Sequence, residues 1–190
     1  AKVLDYKEYL IAHYAPASVN SILSSLNCFF DCMSAFALKV KTMRIQRRIF
    51  AGSDKELTKK EYERLLAAAR SNGNRKLFLL MQTICATGIR VSELAFITVE
   101  ALQDGQATIR LKGKMRVIML PHDLCKMLKK YTQGQKITSG SIFVTKNGKP
   151  LDRSNIWKLM KSLCKIAGVS EKKVFPHNLR HIFARTFYSI

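Results

Sequence analysis

Two short segments contain side chains that suit phosphate chemistry. The first, TGIRVSEL at 87–94, places Arg90 two residues after a glycine and three residues before Glu93. Residues at this spacing meet on one face of a helix, so the acid can hold the guanidinium in one orientation. The second, LKGKMR at 111–116, places lysines at the tip of a predicted hairpin. Guanidinium groups bind phosphate oxygens in pairs of hydrogen bonds, and a lysine can deliver a proton.

A third segment, PHNLRH at 176–181, adds two histidines and another arginine. His177, Arg180 and His181 fall on one face of a predicted helix. The spacing of the two histidines is that of a zinc-binding helix, but Asn178 occupies the position of the metalloprotease glutamate, and no third ligand is evident. We therefore expect neither a metal ion nor another cofactor.

The charge of the chain limits the classes of molecule that it is expected to bind. The 190 residues carry 33 Lys and Arg against 13 Asp and Glu, a formal net charge of +20, and 47% are hydrophobic. This apolar content argues against a disordered basic tail. Residues 105–190 hold 18 basic and only 3 acidic residues. A polyanion, first of all nucleic acid, is the partner that such a surface favours over an anionic membrane.

Cysteine usage and hydropathy predict a cytoplasmic protein without a membrane span. No apolar stretch approaches the roughly 18 residues that a span requires. The five cysteines are scattered and include no CxxC pair, which indicates neither a disulfide framework nor a zinc site.

Helices are predicted to hold the three segments in place. Apolar spacing predicts helices over 2–13 and from Pro16 onward, followed by a basic connector between two domains. Thr58 and Glu61 form a capping-box pattern that starts a helix at Lys59, and an apolar helix from Arg75 closes at Gly88. Later helices are predicted over 122–131, over 153–167 and from Pro176, and alternation predicts three antiparallel strands at 97–100, 107–112 and 116–120.

Together, the three segments resemble the tyrosine recombinase family, also called phage integrases, which includes the Xer-type recombinases. The strings TGIRxSEL, KGKxRxxxLP and HxLRH stand in the family's order behind the basic connector. The resemblance implies a mainly α fold with a small three-stranded antiparallel sheet. It also implies a partial helical core-binding domain and linker at 1–50 and a tyrosine recombinase catalytic domain at 51–190.

Roles for individual residues follow from the resemblance. It implies catalytic roles for Arg90, Lys112, His177 and Arg180, and supporting roles for Glu93, Lys114 and His181. The functional lysine stays open between Lys112 and Lys114, because the length of the hairpin varies. DNA contacts are expected from Arg116, Lys172 and Lys173, and from the connector residues Lys39, Lys41, Arg44, Arg47 and Arg48.

These residue types fit the chemistry of a phosphodiester. Attack on phosphorus raises the negative charge on the two non-bridging oxygens, which two arginines can stabilise without a metal ion. The departing 5′ oxygen needs a proton, which a lysine on the hairpin can deliver.

The family's nucleophile is a tyrosine well beyond the HxLRH string. Tyr188 lies only about two helical turns past Arg180, on an apolar stretch, so we expect it to pack in the core. The expectation is therefore a segment that ends before the nucleophile and binds double-stranded DNA without cleaving it. The full-length protein would act as a homotetramer on a recombination site, through a 3′-phosphotyrosyl intermediate.

Two other classes of protein remain open. A non-catalytic DNA-binding or architectural protein would explain the charge, and a type IB topoisomerase would share the arginine, lysine and histidine set. The sequence does not specify the DNA site, the accessory proteins, or the mobile element or host system.

Overall fold

The computed structural model describes residues 2–45, 55–111, 113–145 and 147–188, with side chains as far as Thr186. The chain divides into two compact units, Ala1–Phe50 and Ala51–Ile190, here termed the N-terminal and C-terminal units. No helix within the described ranges is long and apolar enough to cross a membrane.

The N-terminal unit consists of two helices and a segment that follows them. Helix α1 covers Lys2–His13 and α2 covers Pro16–Cys32, with a short 3-10 helix at Phe36–Leu38. Pro16 suits the first turn of α2 because its missing N–H would have no partner there. The small core contains Leu10, Val19, Leu23 and Val40.

Two asparagines of α2 fasten the segment that follows it. The amide of Asn27 donates to the carbonyl of Val40 at 2.9 Å and accepts from its N–H at 3.1 Å. Asn20 makes the same pair of bonds with Met43, at 2.8 and 2.7 Å. The backbone groups of Val40 and Met43 therefore have partners, although within the described residues this segment pairs with no strand.

The C-terminal unit begins with two helices whose ends are set by local sequence. Helix α3 covers Lys59–Ser71, and its capping box is confirmed: the Thr58 hydroxyl accepts from the Glu61 N–H at 3.2 Å, and the Glu61 carboxylate accepts from the Thr58 N–H at 2.8 Å. Helix α4 covers Arg75–Thr87 and ends at Gly88, as the glycine cap predicts. Local sequence therefore sets the position at which α4 ends.

The predicted three-stranded sheet is wrong, because the described residues form a two-stranded sheet. Strands β1 (Gln106–Leu111) and β2 (Lys114–Met119) pair antiparallel, with Leu111 opposite Lys114. The second half of the segment predicted as the first strand, 97–100, instead begins helix α5, Val99–Asp104. Thr98 caps α5 by accepting from the Ala101 N–H at 3.1 Å, and pairs with Ser141 only through an isolated bridge. The cap that Thr98 provides therefore favours a helix here, despite the alternation of apolar and polar residues that predicted a strand.

Helices complete the C-terminal unit. Helix α6 runs beyond the predicted end at residue 131, and the helix predicted over 153–167 is interrupted at Leu163 and forms two helices. The bounds are α6 His122–Gly134, α7 Arg153–Ser162, α8 Cys164–Ala167 and α9 Pro176–Tyr188, with 3-10 helices at Val91–Phe96 and Glu171–Lys173.

Helix α4 lies at the centre of this unit. It packs against α3, α6, α7 and α9, and Leu77, Leu80, Met81 and Ile84 are among its fully buried side chains. Burial on several sides explains why α4 is apolar around most of its circumference. A helix held in this way provides a rigid base for the residues that follow its C-terminal end.

Candidate active site

The C-terminal end of α4 brings two of the predicted segments together. Gly88 adopts a left-handed conformation (φ +61°), and a Cβ atom there would lie 2.5 Å from Cδ1 of Phe183 on α9. Its carbonyl accepts a hydrogen bond from the Arg180 guanidinium, also on α9. Position 88 therefore requires glycine for two reasons: the left-handed backbone conformation and the close approach of α9.

Arg90 is held by Glu93 in the way that their spacing predicts. The Glu93 carboxylate accepts from the Arg90 backbone N–H at 2.9 Å and from its guanidinium at 3.0 Å. The Arg90 side chain is nevertheless 57% exposed, whereas that of Glu93 is 4% exposed. The buried acid thus orients an arginine side chain of which more than half is exposed.

Arg116 on β2 is a second partner of Glu93. Its guanidinium forms an ion pair with the same carboxylate. Burial alone would raise the pKa of Glu93, but the hydrogen bonds from Arg90 and Arg116 outweigh burial and lower the pKa. Glu93 is therefore ionised at neutral pH and joins the hairpin to the segment that follows α4.

Arg180 is close to both of these arginines. Burial lowers the pKa of its guanidinium, and the charges of Arg90 and Arg116 lower it further, while Glu93 acts in the opposite direction. Arg180 stays protonated, because an arginine pKa starts far above neutral pH. Arg90 and Arg116 thus contact the Glu93 carboxylate, whereas Arg180 contacts the Gly88 carbonyl and lies near enough to interact with their charges. Three guanidinium groups gathered in this way can bind an anion.

His177 and His181 lie next to each other on α9. Their ring centroids are 4.6 Å apart and the rings are nearly perpendicular, at 85°. Burial lowers the pKa of His177, and the charges of His181, Arg180 and Arg153 lower it further. His177 is therefore neutral at pH 7. In that state one ring nitrogen can donate a hydrogen bond and the other can accept one.

The start of α9 is fixed by a buried amide. The side chain of Asn178 donates to the backbone carbonyls of Lys55 and Lys173, both at 2.7 Å. The amide of Asn178 thus occupies a structural position beside His177.

In the part of the chain that the structure describes, no group of three His, Cys, Asp or Glu residues could hold a metal ion.

Of the two candidate lysines, the structure describes only Lys114. Lys114 is exposed at the start of β2, two residues before Arg116, whose guanidinium contacts the site. Lys112 lies outside the described residues.

The other predicted DNA-contacting residues are placed in different surroundings. Lys41, Arg44 and Lys172 are exposed. Lys39 forms an ion pair with Asp31, and the Lys173 ammonium lies 3.0 Å from the Glu61 carboxylate. Arg47 and Arg48 lie outside the described residues.

Two contributions to this site were not predicted from the sequence. Arg116 was assigned to DNA binding, not to Glu93, although its position on β2 puts it on the same face as the buried Ile118 and so toward the core. Arg153, at the start of α7, is close enough to His177 to affect its pKa. No pattern in the sequence links Arg116 to Glu93 or Arg153 to His177.

Comparison with known proteins gives the family. Residues 55–189 match the phage integrase family, and the chain belongs to this family. The tyrosine recombinase XerD of Vibrio cholerae is 25% identical over 199 residues, which cover 97% of this chain and 66% of that protein. The tyrosine recombinase XerA of Pyrococcus furiosus is 28% identical over 180 residues, which cover 90% of this chain and 60% of that protein.

A solved structure shares the fold. It is the XerH site-specific recombinase bound to its difH substrate in a pre-cleavage complex, with a TM-score of 0.73 and 20% sequence identity, covering 99% of this chain and 59% of that one. The chain therefore spans about three fifths to two thirds of the length of the relatives that it matches.

Proposed function

We propose that this chain is the DNA-binding and phosphate-binding part of a site-specific recombinase. The observation that carries the proposal is a cluster of three arginines: Arg90 and Arg116 pair with the buried carboxylate of Glu93, and Arg180 is held beside them by the Gly88 carbonyl. Three cations and one anion leave an excess of positive charge, which a phosphate diester would neutralise. Membership of the phage integrase family supports the same function.

The two catalytic arginines stabilise the charge that develops during strand cleavage. In this proposal Arg90 and Arg180 each donate to non-bridging oxygens of the attacked phosphate. Both are held before substrate arrives, Arg90 by Glu93 and Arg180 by the carbonyl of Gly88. Donors fixed in advance require little reorganisation as the transition state forms. Glu93 acts as a positioning residue for Arg90 and Arg116 in this scheme.

Proton transfer is assigned to the hairpin and to α9. Lys112, or Lys114 in its place, gives a proton to the 5′ oxygen as the phosphorus–oxygen bond breaks. His177, neutral at pH 7, donates a hydrogen bond to a phosphate oxygen or assists the proton transfer. His181 supports His177 through the contact between their rings.

The attacking group in the proposed reaction is a tyrosine. Its oxygen forms the bond to phosphorus while the 5′ oxygen leaves, which gives a 3′-phosphotyrosyl link that the reverse step rejoins. We do not assign Tyr188 this role, and we propose that residues 1–190 bind duplex DNA without cutting it. Strand exchange by a homotetramer is the corresponding proposal for the full-length protein.

DNA binding is proposed to use exposed basic residues around the site and in the N-terminal unit. The proposed DNA-contacting residues are Lys39, Lys41, Arg44, Arg47, Arg48, Arg116, Lys172 and Lys173. Lys39 and Lys173 would exchange their carboxylate partners for DNA phosphates, so each is expected to contribute less than an unpaired lysine.

Selection from a random-sequence duplex library tests site-specific binding. The 190-residue protein should enrich one DNA motif, and the Arg90→Gln variant should enrich it less. A nicked suicide duplex built on that motif should bind without forming a covalent adduct.

Two results would contradict these proposals. Enrichment of no sequence at all would favour the architectural alternative, because a protein that reads only the backbone has no preferred site. A covalent adduct at Tyr188 would show that the nucleophile is present in this segment after all.

A further inference from the structure

The first turn of α9 is attached to the residues that lead into α3. Asn178 is 3% exposed, and its side-chain NH2 group donates to the carbonyls of Lys55 and Lys173, each at 2.7 Å. Lys55 lies four residues before the start of α3, here within what is termed the entry segment, residues 55–61. One buried amide therefore joins parts of the chain that are 123 positions apart.

A second contact joins the same two regions. The Lys173 ammonium lies 3.0 Å from the Glu61 carboxylate, and the two side chains are only 20% and 15% exposed. The same carboxylate accepts from the Thr58 N–H at the start of α3. Lys173 is thus held twice, by Asn178 through its carbonyl and by Glu61 through its side chain.

The far end of α9 also contacts the entry segment. The Arg185 guanidinium lies 2.6 Å from the Glu56 carboxylate. Arg185 follows Asn178 by seven residues, which is about two helical turns, so both lie on one face of α9 together with the buried Ile182. Two adjacent residues of the entry segment, 55 and 56, therefore contact this face about two turns apart.

The residues of the candidate active site lie on a different face of α9. His177, Arg180 and His181 form a group that lies about a third of a turn round the helix from Asn178. A third side of the helix, at Phe183, packs against the end of α4. Helix α9 is thus held from two sides, and the remaining side presents the predicted catalytic residues.

We propose that Asn178 is a positioning residue, which fixes α9 against the entry segment and so places His177 and Arg180 for phosphate binding. The inference rests on the proposed function, because it concerns the same two side chains. His177 directly precedes Asn178 and Arg180 follows it by two residues, so a displacement of the first turn moves both.

An amide suits this position better than other side chains of similar size. It offers two N–H donors in one plane and carries no charge. Leucine would fill the buried space but leave the carbonyls of Lys55 and Lys173 without this donor, which costs free energy. Aspartate has no N–H and would place a negative charge against two carbonyl oxygens. The side chain is therefore matched to the link between the two segments and not only to burial.

NMR spectra of the histidine ring C–H groups test the position of His177. In the wild-type protein the His181 ring, with its centroid 4.6 Å away, should shift these signals. In Asn178→Ala we expect them to move at least halfway to those of an unstructured histidine. The pKa of His177 should also rise toward 6.5, because burial and the charges of His181, Arg180 and Arg153 lower it in the fold. Affinity for duplex DNA at fixed salt should fall about fivefold.

Thr132→Val is the matched control. Thr132 is 4% exposed on α6, and its hydroxyl donates to the Lys129 carbonyl at 2.9 Å. This variant therefore also removes a buried hydrogen bond, but in a helix other than α9. It should leave the His177 signals in place and change DNA affinity less than twofold. Asn178→Ser keeps one donor, and if the alanine variant does not fold, it should move the same signals in the same direction by a smaller amount.

The outcomes separate this inference from the proposed function. Unchanged His177 signals in folded Asn178→Ala or Asn178→Ser would overturn the positioning role, and so would equal changes in Thr132→Val. A loss of DNA affinity in Arg180→Gln without a loss in folded Asn178→Ala would also overturn it, although the proposed function would stand. Wild-type DNA affinity in Arg180→Gln would instead contradict the proposed function and this inference with it.

Discussion

Replacement of Glu93 by glutamine should destabilise the C-terminal unit and reduce its dependence on pH. The carboxylate accepts three hydrogen bonds, from the Arg90 N–H and from the guanidiniums of Arg90 and Arg116. A hydrogen bond to a charged group contributes about 1.5–3 kcal/mol, against about 0.5–1.5 kcal/mol for a neutral one. Because the Arg90 and Arg116 side chains are 57% and 41% exposed, water replaces part of what is lost, and we expect a net loss of about 1–3 kcal/mol.

The sign of the pH effect follows from the lowered pKa of Glu93. Its ordinary pKa is 4.5, and the folded value lies below it. The charged form therefore adds stability that is complete above pH 4.5 and is lost as the pH falls through the folded pKa. The wild-type protein should lose more stability than Glu93→Gln between about pH 7 and about pH 3.5.

Urea unfolding followed by the fluorescence of Trp157 measures this difference. Trp157 is the only tryptophan of the chain and lies on α7, so it reports on the C-terminal unit. The control is Glu63→Gln, which removes an exposed carboxylate of α3. Equal stability of Glu93→Gln and Glu63→Gln at both pH values would contradict a stabilising role of the Glu93 carboxylate.

Other predictions address the glycine at the end of α4 and the histidine of α9. Gly88→Ala should lower the free energy of unfolding by about 2–4 kcal/mol, because the left-handed backbone and the contact with Phe183 both oppose a Cβ atom. Gly105→Ala, with φ +68° but open space around it, should cost only about 1 kcal/mol in the same unfolding assay; equal losses would contradict the clash. In an NMR titration His177 should have a pKa below 6.5, so its cation is disfavoured in the fold and stability should fall as the pH drops below that value. Duplex DNA should raise this pKa, and DNA affinity should therefore increase as the pH falls; a free-protein pKa above 6.5 would contradict the placement of His177.

Local signals in the sequence predicted most of the helices. The Thr58 and Glu61 pair and the glycine at position 88 define the ends of α3 and α4 through interactions with nearby residues. The pairing of Arg90 with Glu93 could be predicted for the same reason, because the two residues are three positions apart on one turn. Interactions within a turn depend little on the rest of the fold.

The remaining features depend on contacts between distant segments. Thr98 caps a helix instead of joining the sheet, and its isolated bridge to Ser141 depends on a segment that is distant in the chain. The contact between Arg180 and the carbonyl of Gly88 joins residues 92 positions apart. The ion pair of Arg116 with Glu93 likewise needs the hairpin to fold back over the end of α4.

The salt dependence of duplex DNA binding tests the central claim that the arginine cluster binds a DNA phosphate. Each neutralised phosphate adds about −0.9 to the slope of log affinity against log salt concentration. Arg180→Gln should reduce the slope by about 1 and the affinity by about tenfold at low salt. Lys130→Gln makes the same charge change on the exposed face of α6 and should leave both close to wild type. An unchanged slope in Arg180→Gln, or an equal change in Lys130→Gln, would contradict the claim.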